Sequence, residues 1–167
     1  MNQENSILID QLGAVGWTVR RNAFPIPVPQ KVSDRYGWLP VEITDFIGSL
    51  ALAVSQSERS WFVTSDELLE ATDSAFKWNQ WELDSLIAAE GDDEWQRNIR
   101  AFWDDCFPLV ISVDGDYSFV GIQRRSHGHM IVGGREPEFE ETEVVADGIA
   151  GLVMGIVAGD ARIASYL

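Results

Sequence analysis

FPLVISVDGDYSFVGI, Phe107 to Ile122, joins two apolar runs through Asp114-Gly115-Asp116. Both runs are rich in β-branched and aromatic residues, which fit a pleated, half-buried surface, and a glycine between two aspartates supplies hairpin turn chemistry. Working outward, GHMIVGG at 128–134 reads as a third short strand, so an antiparallel meander is expected. Upstream, Trp61 to Val63 reads as another strand, and Thr64 with Glu67 forms a capping box that turns this strand directly into a helix.

Helices are expected on either side of the meander. In VEITDFIGSLALAVS, Ile43, Phe46, Ile47 and Leu50 take helical spacing, with a strand beginning near Leu50 as the alternative. Trp95, Ile99, Phe102 and Trp103 share one helical face, with a further helix or a broken helical arm carrying Trp78, Trp81, Leu83 and Leu86 upstream of a break at Gly91. A closing helix through Val145, Ile149, Leu152 and Ile156 carries Gly148, Gly151 and Gly155 beside it and is expected to pack closely across the sheet. Prolines at 25, 27 and 29 exclude both helix and central strand. Residues 1–35 are therefore expected as an extended segment packed on the domain through Phe24, Ile26 and Val28, with 36–167 forming the domain itself.

The 167 residues include seven Trp and eight Phe and are 46% hydrophobic, enough for one domain with a substantial core. A single cysteine, Cys106, excludes an internal disulfide and, set among Phe102, Trp103, Phe107 and Leu109, reads as a buried, inert thiol suited to a reducing cytoplasm. The N-terminus lacks the basic and apolar regions of a secretory signal. VVADGIAGLVMGIVAGD is interrupted by Asp147 and falls short of the roughly 20 residues of a spanning helix, so no membrane anchor is expected.

Charge carries the strongest global message. Twelve Lys and Arg against 27 Asp and Glu leave a net −15, a field that repels nucleic acid and anionic membranes and favours encounter with a basic protein. Between Asp66 and Asp105 there are twelve acidic residues and three basic ones, so more than half of the net negative charge sits in less than a quarter of the chain.

Tests for reaction chemistry find little. His127 and His129 lie two apart and share a face on a strand, but no cysteine accompanies them, and they read as turn and sheet-surface histidines. Asp114 and Asp116 lack the twelve-residue calcium loop with its closing glutamate. No G-x-S-x-G elbow or G-x-x-x-x-G-K-[ST] phosphate loop occurs, and acidic pairs stand without an accompanying motif. The basic islands VRRN and QRRSHGH are short, and Arg124 and Arg125 are expected to pair with the chain's own carboxylates. No catalytic residue, cofactor or metal ion is expected, and direct nucleic-acid binding is not.

In this order, WLPVEITDFIG, FVTSDELLEA, FPLVISVDGDYSFVGI and GHMIVGGREPEFEETEVVADGIAGLVMGI resemble the segments of the SMI1/KNR4 family, the SUKH superfamily, over roughly residues 36–158. The resemblance implies an α+β domain with a bent mixed or mainly antiparallel sheet flanked by helices. It also implies a binding function without catalysis. Members include cytoplasmic immunity proteins that neutralise polymorphic toxins, many of them nucleases, and others are regulatory or scaffold proteins. An immunity or antitoxin-like protein acting by occlusion is the leading expectation, and an intracellular regulatory or scaffold domain the alternative. The expected protein-binding residues are Asp92, Asp93 and Glu94, with Asp104 and Asp105, and the turn residues Asp114 and Asp116 on the same surface. Trp95 and Trp103 are assigned to the core.

Overall fold

The computed structural model describes residues 3–167. Seven strands form one antiparallel sheet in which spatial order equals chain order: β1 (Thr18–Arg21), β2 (Leu50–Val54), β3 (Ser60–Phe62), β4 (Cys106–Ser112), β5 (Ser118–Arg125), β6 (Gly128–Arg135) and β7 (Glu143–Ala146). The helices are α1 (Gln3–Ala14), α2 (Gln30–Arg35), α3 (Val41–Ser49), α4 (Ser65–Leu68), α5 (Gln80–Ala88), α6 (Asp93–Asp104), α7 (Ile149–Ala158) and α8 (Ala161–Ala164). The fold is therefore α+β, an antiparallel sheet flanked by helices.

The opening stretch forms the β4–β5 hairpin. Ser112 pairs with Ser118, and the intervening residues turn at Gly115, whose φ of 82° lies in the left-handed region that favours glycine. All seven residues of β4 are buried, because helices cover both faces of the sheet. Cross-strand register puts Ser60, Phe62, Val110, Ser112, Ser118 and Val120 on one face, and Trp61, Ile111, Phe119 and Gly134 on the other. On the first face Phe62 packs against Trp17, after α1, and Phe46 of α3. On the second, Phe119 meets Trp103 of α6 with ring centroids 5.0 Å apart, and Phe139 beyond it.

The buried serines on the first face are satisfied. Ser60 Oγ donates to Ser112 Oγ at 2.9 Å, and Ser118 Oγ donates to the Tyr166 carbonyl at 3.0 Å. The Ser60 and Ser112 hydroxyls thus join β3 to β4, and the Ser118 hydroxyl ties β5 to the last turn. Unpaired, each of these groups would destabilise the fold.

The N-terminal region differs from its expected extended form. Gln3–Ala14 is a helix, with Leu8, Ile9 and Leu12 buried on one face, and Thr18–Arg21 pairs with β2 as the first strand of the sheet. The prolines at 25, 27 and 29 act only locally: residues 22–29 carry no helix or strand. Val28 packs on the core as expected, whereas Phe24 is 82% exposed. The closing segment also divides. Val145 belongs to β7, paired with β6, and α7 starts only after Gly148. Four apolar residues at helical spacing bridged two elements because Val144 and Ala146 also satisfy the edge of β6 as a strand. Gly155 gives the close approach its missing side chain allows, packing against Ile163 of α8.

Candidate functional site

The seven acidic residues singled out in the sequence do not form one patch. Asp92 caps α6, accepting the Trp95 N–H at 2.9 Å, and Asp93 and Glu94 occupy the first turn, where carboxylates complement the helix dipole. Asp104 and Asp105 stand at the other end of this twelve-residue helix, about 17 Å away at 1.5 Å per residue. Asp114 and Asp116 lie beyond the far end of β4, more than about 20 Å from Asp105 along the strand.

Beside the Asp92 cap, three of these carboxylates are ion-paired internally. Asp104 accepts from Arg35 Nε at 2.8 Å, Asp105 pairs with Arg124, and Asp114 lies 3.5 Å from Arg59. Carboxylates at a helix C-terminus oppose the dipole, so the two arginines offset an unfavourable placement. Arg35 also forks onto Glu82 of α5, donating to both carboxylate oxygens at 2.8 Å. Burial works against the Arg35 charge, but these bonds raise its pKa beyond the ordinary guanidinium value. Trp38 completes the cluster: its indole N–H donates to the Asp104 carbonyl at 3.1 Å, Arg124 sits 5.6 Å over its ring, and His129 stacks on it at 5.5 Å. This constellation ties residues 35–38 to α5, to the end of α6 and to β5 and β6.

Trp95 corrects the expected core stripe. Ile99 and Trp103 are buried, but Trp95 is 47% exposed, and burial along α6 fades toward its N-terminus. Ile87, near the end of α5, is 70% exposed. The short α5–α6 connection therefore presents two large apolar side chains flanking Glu90, Asp92, Asp93 and Glu94, all exposed. No ion pair among the described residues involves Asp93, Glu94 or Asp116.

His129 lies on β6 in its stack with Trp38, while His127 occupies the exposed β5–β6 turn. Among the described residues no group of three or more His, Cys, Asp and Glu side chains is placed to hold a metal ion. Cys106 is fully buried at the start of β4, and burial pushes its thiol well above the ordinary range. It is held as the neutral thiol.

A cleft of about 430 Å³ opens between β2, β3 and the segment after α4. Ala51, Ala53, Val54, Phe62 and Val113 supply apolar wall, and Trp61 and Phe76 lie along it with ring centroids 6.1 Å apart. Glu67 lines the same cleft, held by the capping box: its Oε2 accepts the Thr64 N–H at 2.8 Å, and the Thr64 hydroxyl accepts the Glu67 N–H. Burial raises the Glu67 pKa, and bonds from Thr64 and Trp61 only partly offset this. Sequence reasoning identified Glu67 as a capping residue and missed its second surface. The cleft is made by the splaying of β2 from β3, which share a single paired position, Val54 with Trp61.

Fold and surface together define an α+β domain whose polar groups mostly brace its own elements, with one acidic, partly apolar tip and one acidic cleft. No family model, curated protein or solved structure matches the chain. Among the described residues no helix is long and apolar enough to cross a membrane.

Proposed function

We propose that this chain is an immunity or antitoxin-like protein of the SMI1/KNR4 kind, which acts in the cytoplasm by binding a basic toxin, a nuclease in the leading case, and occluding it without catalysis. The supporting observation is the α5–α6 tip, where exposed Trp95 and Ile87 stand among Glu90, Asp92, Asp93 and Glu94 on a chain of net charge −15. Long-range attraction speeds encounter with a cationic surface, and a buried aromatic anchor retains the complex. The same carboxylates would meet the Lys and Arg side chains that a nuclease uses to hold phosphate. Asp104 and Asp105 take no direct part in this reading, since Arg35 and Arg124 already occupy them.

The test is capture with the product of a neighbouring toxin-like gene, followed by kinetics on folded variants. Asp93→Asn with Glu94→Gln should slow association and flatten its salt dependence, while Trp95→Ala should speed dissociation. Unchanged affinity and salt dependence in all of them would reject the tip. Repeated recovery of a cellular regulatory assembly instead would favour a scaffold role.

A further inference from the structure

We infer that the cleft between β2, β3 and α4 is a binding site for an organic cation on an apolar stem, an alkylammonium group of the kind a lysine side chain or a small free amine carries. The inference deepens the reading of a basic partner, and only the choice between those two sources rests on that reading.

Three features of the cleft select this chemistry. First, the only ionisable side chains lining it, among the described residues, are Glu58 and Glu67, both carboxylates. An anion entering here would meet like charge at the mouth and on the wall; a cation would meet two opposite charges. Second, Trp61 and Phe76 line the same cavity as a tilted aromatic pair, their planes 43° apart, and a desolvated cation that comes within about 6 Å of either ring face gains a cation–π attraction. Third, most of the remaining wall is alanine, valine, leucine and phenylalanine, which takes methylenes, and Thr64, Thr72 and Ser74 add hydroxyls but no further charge. At about 430 Å³ the cleft has the size of small-ligand sites, which combine mostly apolar walls with a few placed polar groups.

Glu67 is also held ready. Oε2 is fixed by the Thr64 N–H at 2.8 Å, so the carboxylate plane is set before any ligand arrives. An ionised carboxylate accepts about four hydrogen bonds, and those from Thr64 and Trp61 leave capacity for an ammonium donor. A bound cation would in turn offset the desolvation that raises the pKa of this group.

The experiment titrates the full chain with n-butylammonium chloride and, separately, with n-butanol as the uncharged counterpart, following the Trp61 indole N–H by NMR against matched sodium chloride. The ammonium is expected to bind at least about tenfold more tightly, the scale of one charge-assisted hydrogen bond. Glu67→Gln, which keeps an acceptor for the Thr64 N–H, should cut that preference to the roughly two- to threefold that Glu58 at the mouth supplies, and Glu58→Gln should weaken it by about that factor. Lowering the pH until Glu67 protonates should abolish ammonium binding in the unaltered chain, which keeps the test decisive if the Glu67 variant does not fold. A capped Gly-Lys-Gly peptide that binds as well as butylammonium identifies a protein side chain as the source; a peptide about tenfold weaker identifies a free amine. Equal affinity for butanol and butylammonium, or a preference of about tenfold that survives Glu67→Gln, overturns the inference. Toxin capture through the Trp95 tip with no cation bound in the cleft would sink this inference alone, and cation binding with no toxin captured would sink only the proposed function.

Discussion

Replacing Arg35 by methionine should destabilise the fold by about 3 kcal/mol, because it strands a buried carboxylate. The Glu82 side chain is 7% exposed and receives both guanidinium donors of Arg35, which is itself 29% exposed. Breaking a buried ion pair from one side costs about 3 to 5 kcal/mol, and the partial exposure of Arg35, which lets water reach the vacated site, places this pair at the lower end. For a chain of this size that loss lowers the melting temperature by roughly 6 to 12 °C. Urea unfolding at neutral pH, followed by tryptophan fluorescence, measures it. The cycle is completed by Glu82→Met and by the double variant with methionine at both positions. The double variant should recover most of the loss, since neither charge is then left without its partner, whereas Asp104→Asn, whose side chain is 56% exposed, should cost less than about 1 kcal/mol. An Arg35→Met cost below about 1 kcal/mol, or a double variant that loses the sum of the two single effects, would refute the view that this fork braces α5 against residues 35–38.

Three further outcomes are expected. Burial raises the Glu67 pKa above its ordinary 4.5, so its contribution favours the fold below that pH and is lost as pH rises through the folded value; Glu67→Gln should therefore be more stable than the parent at pH 7 and lose that advantage below about 4.5 in parallel urea titrations. Gly134→Ala should cost about 1 to 3 kcal/mol by the same assay, because a Cβ there would lie 2.5 Å from Phe119 Cε1 and 2.8 Å from the Phe139 carbonyl oxygen. Cys106, fully buried and held as a neutral thiol, should react with an aromatic disulfide reagent only at the rate of unfolding; rapid labelling of the native protein would contradict its placement.

The elements that were legible in sequence are those whose local chemistry and tertiary role agree. The β4–β5 hairpin, the strand ending near Val63 and the Thr64–Glu67 capping box all appear where residue type places them, and of the two readings of Leu50, helix or strand start, the structure takes the strand after the helix through Ile43, Phe46 and Ile47. The misreadings occur where one pattern served two partners. Val145 and Ile149 keep helical spacing across the boundary between β7 and α7. Leu8, Ile9 and Leu12 form a helical face that the downstream prolines led us to read as extended chain. Trp95 has the spacing of a core residue, yet the first turn of α6 is exposed.

By itself the sequence determined the net negative charge, the antiparallel character of the central strands and the absence of an internal disulfide, because these follow from composition, turn chemistry and a cysteine count. Tertiary structure alone decided which carboxylates remain available. Asp104, Asp105 and Glu82 are drawn to arginines distant in the chain, Asp93 and Glu94 are left on an exposed tip, and Glu67 is turned into a cleft that exists only because β2 and β3 splay apart. A carboxylate's charge is a property of the residue, but its partner and its access to water depend on which elements the fold brings beside it.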